Sequence, residues 1–280
     1  MDIEKLIRLY MEGGYKNEDA NVRVCQDIIL SKIAKTNISR NVTIKGGVVM
    51  MALSHDSRRA TRDLDLDFIK YSLSDSAVTD FVYRLSNVND GVSIKISRTL
   101  EELRHQDYKG KRVFVELSDT FNNRFEVKLD IGVHKNLEIK QDEFYFDLNI
   151  LNDNVNLFIN SKEQIFVEKL KSLLKYGFTS TRYKDILDFY YLINMTSLDK
   201  SRLLQYFVIY IFDVKEIEEN SVSDIYNRLR VILNNRRFIE NVNQPKNNWL
   251  ELPVDEVIKD ILSFFEILED DVVLDINSWK

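Results

Sequence analysis

The spacing of apolar residues changes along the chain, and each change marks a different kind of element. Over 18–36, Val22, Cys25, Ile29 and Ile33 recur at helical spacing, with Ala34 beside them, and predict an amphipathic helix. Asp19 stands in its N-cap region, and residues 2–12 read as a shorter helix before it. Val42-Thr43-Ile44 is strand-like and Val48 to Leu53 is helix-compatible, with Gly46-Gly47 as a turn between them. Tyr71 to Ser86 reads as a helix capped at Ser74 or Asp75, and 92–96 alternates as a strand. A polar stretch follows over 101–110, with Gly110 as a turn candidate. Residues 112–117 and 124–133 then form two strands of a hairpin around Asn122-Asn123. From about residue 160 the period becomes 3.6. Ser161 caps the helix IFVEKLKSLLKYG, which stops at Gly177, and TSTRYKDILDFYYLINM follows as another helix. Helices are also predicted over about 200–212, 222–240 and 254–268, with Pro245 and Pro253 in a loop around Trp249. The fold class is therefore α+β: a mixed β-sheet core with flanking helices over 1–135, and a mostly helical half over 136–280.

The stretch Lys45 to Ile69, KGGVVMMALSHDSRRATRDLDLDFI, carries the chemistry. On a strand, Asp63, Asp65 and Asp67 project from one face while Leu64, Leu66 and Phe68 face a core. Three carboxylates in a row repel one another unless neutralised, and Mg²⁺ or Mn²⁺ with its preference for hard oxygen ligands is the usual neutraliser. A solvated face on an edge strand is the alternative. A glycine turn at a helix start lets backbone amides approach a phosphate, helped by the helix dipole; an ordinary tight turn is the alternative there. In 124–133, Glu126, Lys128 and Asp130 share one strand face and Phe125, Val127, Leu129 and Ile131 the other.

The order of glycine turn, short helix, Arg-rich loop and paired aspartates resembles the nucleotidyltransferase superfamily. KGG…RRATRDLDLDF is similar to the AbiEii-type abortive-infection toxins, and the helix containing Cys25-Gln26-Asp27-Ile28 resembles the one that leads into their Gly-Gly turn. Glu168-Lys169-Leu170 and Arg182-Tyr183-Lys184-Asp185…Asp188 occupy the places of that family's later motifs, so the likeness spans about 22–195. The resemblance implies a nucleotidyltransferase fold with Asp63 and Asp65 as the metal pair and Asp130 as a third carboxylate from a neighbouring strand. It also implies that Gly46, Gly47, Arg59, Thr61 and Arg62 line the nucleotide site. Lys169 would hold the leaving pyrophosphate or transferred phosphate, with Asp185 positioning it; a solvated helix face with Lys–Asp pairs is the other reading of that set. The implied reaction moves a nucleotide from an NTP onto RNA, such as a tRNA 3′ end, in a toxin restrained by a separately encoded antitoxin. One departure stands out: the family has Ser or Thr where this chain has Val48, which moves any phosphate contact there onto backbone amides.

Composition narrows the classes. With 280 residues, 44% of them apolar and 30% charged, the chain has ample material for one large or two smaller cores and is not disordered. The charged start MDIEKLIRLYMEGG has no signal-peptide pattern, and no apolar run approaches the roughly 20 residues of a membrane span. Cys25 is the only cysteine, which fits a packing role and a reducing cytoplasm. The net charge of −6 means that nucleic acid would need a local basic patch, for which Arg228, Arg230, Arg236, Arg237 and Lys246 are the candidates. His55, His105 and His134 lie far apart without metal-ligand spacing and are expected at the surface. Two other functions stay open: a non-catalytic nucleotidyltransferase-like protein that binds RNA or a partner, and a metal-dependent nuclease.

Overall fold

The computed structural model describes residues 1–103 and 110–278, with side chains described through 269. His105 and the side chains beyond 269 lie outside the described residues. In chain order the elements are α1 (Ile3–Glu12), α2 (Asn17–Ala34), β1 (Val42–Lys45), α3 (Gly46–Ser54), β2 (Asp63–Phe68), α4 (Asp75–Ser86), β3 (Val92–Ile96), β4 (Glu101–Leu103) and β5 (Gly110–Asp119). They continue with β6 (Arg124–Val133), β7 (Asp142–Leu148), β8 (Asp153–Ile159), α5 (Lys162–Tyr176), α6 (Lys184–Met195), α7 (Lys200–Phe207), α8 (Val222–Leu233), α9 (Arg236–Val242) and α10 (Val254–Ser278). The fold is α+β, as the periodicity predicts. No helix among the described residues is long and apolar enough to cross a membrane.

The chain forms two compact units, Met1–Asn160 and Ser161–Lys280. The sequence places the break at 135. It falls later because 136–160, expected with the helical half, supply β7 and β8, which pair with each other and join the sheet through β8 and β1. The strand order is β3-β5-β6-β2-β1-β8-β7, with β4 on β5. The β1–β8 and β2–β6 pairs are parallel and the others antiparallel, so the sheet is mixed.

One face of the sheet is the core of the first unit. Leu64, Leu66 and Phe68 of β2 stand there with Leu129 and Ile131 of β6, all without solvent exposure. The amphipathic stripe expected of α2 widens into burial nearly all round from Arg23 to Ile33, because the helix touches α1, α4, β6 and β8. Its buried basic residues have partners. Lys32 donates to the Val88 and Val92 carbonyls and pairs with Asp90 at 2.7 Å, and Arg23 pairs with Asp27 at 2.9 Å. Cys25 is buried, and burial pushes its thiol up to about 12, which suits packing and not nucleophilic chemistry.

The second unit is helical. Ser161 accepts from the Gln164 amide and caps α5, as expected. Phe166, Phe189, Phe207 and Phe265 meet in its core. The single helix expected over 222–240 is two, because the Asn235 side chain accepts from the Phe238 amide and starts α9 afresh. Residues 178–183, expected within a helix, precede it, and α6 begins at Lys184.

Candidate functional site

The site in the first unit grows from the end of β1. Gly46 takes φ +68, a backbone conformation that suits glycine, and turns the chain into α3. A side chain on Gly46 would run into the Asp65 carboxylate, and one on Gly47 would stand 2.6 Å from Thr61 Oγ1 and 2.7 Å from Thr61 Cβ. Both glycines therefore permit close approach: the start of α3 lies flush against Asp65 and Thr61. No side-chain hydrogen bond caps α3. Val48 is wholly buried in the core.

On β2 the three aspartates share a face, as the alternation predicts. Asp65 lies opposite Asp130 on β6 and Lys45 on β1, while Asp63 lies opposite Lys128. Arg112 of β5 stands opposite Asp130 and completes the row. The charges are matched within it. Lys128 Nζ is 2.6 Å from Asp63 Oδ1, and Arg112 donates through Nε and Nη2 to both Asp130 oxygens at 2.9 Å. That bidentate hydrogen bond is the chief cause raising the Arg112 pKa, against a smaller opposing effect of burial. Asp67 and Lys45 are both buried and form an ion pair at 2.8 Å that lacks the alignment of a hydrogen bond.

The donor chemistry of Asp63, Asp65 and Asp130 fits a hard divalent cation: carboxylate oxygens on one face of adjacent strands. Among the described residues, however, no three His, Cys, Asp or Glu side chains gather as a ready ligand set. Asp63 and Asp130 are turned onto Lys128 and Arg112, two cations that sequence reading did not bring into the site. Arg59 is buried, and the exposed Arg62 is engaged by Glu18 at 2.5 Å and Asp19 at 3.7 Å at the start of α2. Gln26 of α2 is wholly buried, and its Nε2 donates to the Thr61 and Asp63 carbonyls at 3.1 and 3.2 Å. The sequence placed it on the helix that leads into the glycine turn; a polar Gln26-Asp27 pair between Val24-Cys25 and Ile28-Ile29 was the available signal.

The second unit holds its own charged cluster. Lys169 of α5 reaches two carboxylates one turn apart on α6, within hydrogen-bond distance of Asp185 Oδ1 and 2.9 Å from Asp188 Oδ2. The solvated helix face is ruled out, since all three are buried, Asp188 completely. Trp249 Nε1 donates to Asp188 Oδ1 at 3.1 Å, another partner absent from the sequence reading. Asp185 Oδ2 is buried and meets no hydrogen-bond donor among the described residues.

Other expectations fared differently. His55 is exposed, as expected, but His134 is buried, with its Nε2 at 3.1 Å from the Ile139 carbonyl. Of the basic residues in the second unit, Arg228 is engaged by Glu219 at 3.7 Å and Arg236 by Glu240 at 2.9 Å.

A family model described as "Nucleotidyl transferase AbiEii toxin, Type IV TA system" matches residues 28–255. The chain belongs to this family. The AbiEii match takes in both charged clusters, and the family's type IV toxin–antitoxin character implies an antitoxin partner. Among solved structures, an antigenic nucleotidyltransferase-like protein from Paracoccidioides brasiliensis is similar at 17% identity and a TM-score of 0.35, covering 79% of this chain and 92% of that one. No curated protein matches the chain at a significant level.

Proposed function

We propose that this AbiEii member is a metal-dependent nucleotidyltransferase that moves a nucleotide from an NTP to an RNA acceptor such as a tRNA 3′ end. The observation that carries the reading is the carboxylate row of β2 and β6 set against a glycine-opened helix start. Asp63 and Asp65, with Asp130, would hold Mg²⁺ or Mn²⁺. When bound, the ion supplies Lewis-acid polarisation of the α-phosphoryl group. The acceptor hydroxyl oxygen forms a bond to the α-phosphorus as the bond to the bridging oxygen breaks, and pyrophosphate leaves. The hydroxyl proton passes to a carboxylate of the row. The amides of Gly46 and Gly47 suit phosphate oxygens, and Thr61, Arg59 and Arg62 belong to the same nucleotide-binding assignment. Lys169, its ammonium fixed by Asp185, keeps the role its motif implies, a cation that offsets phosphate charge. In the cell this activity would be the toxin's, checked by a separately encoded antitoxin.

A second reading has one observation in its favour. Lys128 and Arg112 already balance Asp63 and Asp130, as they would in a non-catalytic protein that binds RNA or a partner. The test is incubation of the purified chain with Mg²⁺, each labelled NTP in turn and total tRNA, beside Asp63→Ala/Asp65→Ala. Label entering RNA with the wild type and lost in the double variant is the expected result. Label on protein would move the acceptor from RNA to protein. No transfer together with no metal-dependent NTP binding would establish the binding protein instead.

A further inference from the structure

We infer that Gln26 is a positioning residue of the transfer site: its amide replaces the strand that β2 lacks and so sets Thr61 and Asp63. The inference rests on the metal role proposed for Asp63. The reason lies in the register. β1 ends at Lys45, opposite Asp65, because the chain leaves the sheet at Gly46. Ahead of Asp65, β2 keeps β6 on one side, but its other side has run out of partner. Along β2 alternate carbonyls point the same way, so that of Asp63 faces the place where β1 would have continued, and past the bend at Arg62 the Thr61 carbonyl reaches the same amide. Buried carbonyls need donors.

Gln26 provides two from one group. Its Nε2 carries two hydrogens, and the two carbonyls accept them at 3.1 and 3.2 Å. Oε1, by contrast, is buried without a donor among the described residues. The carboxamide is thus oriented by the carbonyls it serves, and a side chain kept only to fill space would not leave a buried acceptor unmet. Both residues that it holds matter to the site. Thr61 presses on Gly47 at the start of α3, and Asp63 opens the carboxylate row.

The experiment compares wild type, Gln26→Met and Gln26→Glu, which keep the side chain's length but cannot donate two hydrogens. Mn²⁺ affinity is read by electron paramagnetic resonance, and local opening by amide exchange at 61–65. Outer partners of metal ligands commonly alter affinity by about 10–100-fold. We therefore expect about tenfold weaker Mn²⁺ binding in Q26M, with faster exchange confined to 61–65. The loss should vanish in an Asp63→Ala background, since Gln26 acts through that carboxylate. A merely structural role would persist there, and that result overturns the inference, as does wild-type affinity with unchanged exchange. Should Q26M fail to fold, Q26E carries the same comparison. A wild type that takes up no Mn²⁺ would refute the metal reading instead; exchange at 61–65 then decides the clamp by itself, unchanged protection in the variants overturning it.

Discussion

Gly47→Ala separates helix propensity from close packing, two effects of opposite sign. Alanine in place of glycine in a helix gains about 0.5–1 kcal/mol, toward the lower end in the first turn. Against this, the new methyl would lie 2.6 Å from Thr61 Oγ1, 2.7 Å from its Cβ and 3.0 Å from its Cγ2. Carbon–carbon contacts are comfortable at about 3.5–4.0 Å, so the segment around Thr61 must retreat by roughly 1 Å. Cβ is not the mobile end of a side chain, and Gln26 holds the Thr61 carbonyl. Overpacking of this kind costs about 1–3 kcal/mol. The net expectation is a loss of about 1–2 kcal/mol, read as a lowered midpoint in urea unfolding followed by circular dichroism, with weaker NTP binding. Thr61→Gly removes all three offending atoms. In that background Gly47→Ala should become neutral or stabilising, because only the helix gain remains. An equal loss in both backgrounds, or a more stable single variant, would refute the argument.

Three further outcomes follow from the charged groups. Lys128→Met should leave stability within about 1 kcal/mol, since its pair with Asp63 is part-exposed, yet tighten Mn²⁺ binding by releasing a ligand; calorimetric titration showing weaker binding would contradict it. Lys169→Met removes a buried ammonium from between two buried carboxylates and should cost about 3–5 kcal/mol in chemical unfolding, whereas a loss under about 1 kcal/mol would mean that the cluster is hydrated. Asp119 is raised by burial but lowered more by the Ile3, Phe121 and Asn123 donors around it, so its folded pKa lies below the usual carboxylate value. Such a group contributes stability that is complete above about pH 4 and lost as pH falls through the folded value. Asp119→Asn should flatten that acid limb in thermal melts taken across pH; an unchanged slope would exclude Asp119 as its source.

What could be read in the chain beforehand was what depends on neighbours in sequence. The alternation of Asp63, Asp65 and Asp67 gives their common face, and the Gly46-Gly47 turn gives the start of α3, because both follow from local geometry. Ser74 and Ser161 cap their helices as their side chains predict. The misjudged features depend on partners distant in the chain. Residues 136–160 carry short alternating runs whose place in the sheet is decided by β1, not by their own pattern. Lys128 and Arg112 look like ordinary polar strand positions until the register sets them opposite Asp63 and Asp130. Lys169 and Asp185 were visible as a helical motif, but their burial needed Trp249 and the surrounding helices.

The parallel pairing of β1 with β8 has a bearing on synthesis. Thr43 and Ile44 meet Phe158 and Ile159, residues translated long after the motif that ends at Asp67. A nascent chain that has exposed the glycine turn and all three aspartates still lacks one flank of the strand on which that turn stands. Contacts so remote in sequence close slowly, because loop entropy must be met before they form. The carboxylate row therefore matures late, after most of the first unit has left the ribosome. A fragment ending near residue 135 would carry every one of its acids and still be without the strand that flanks β1.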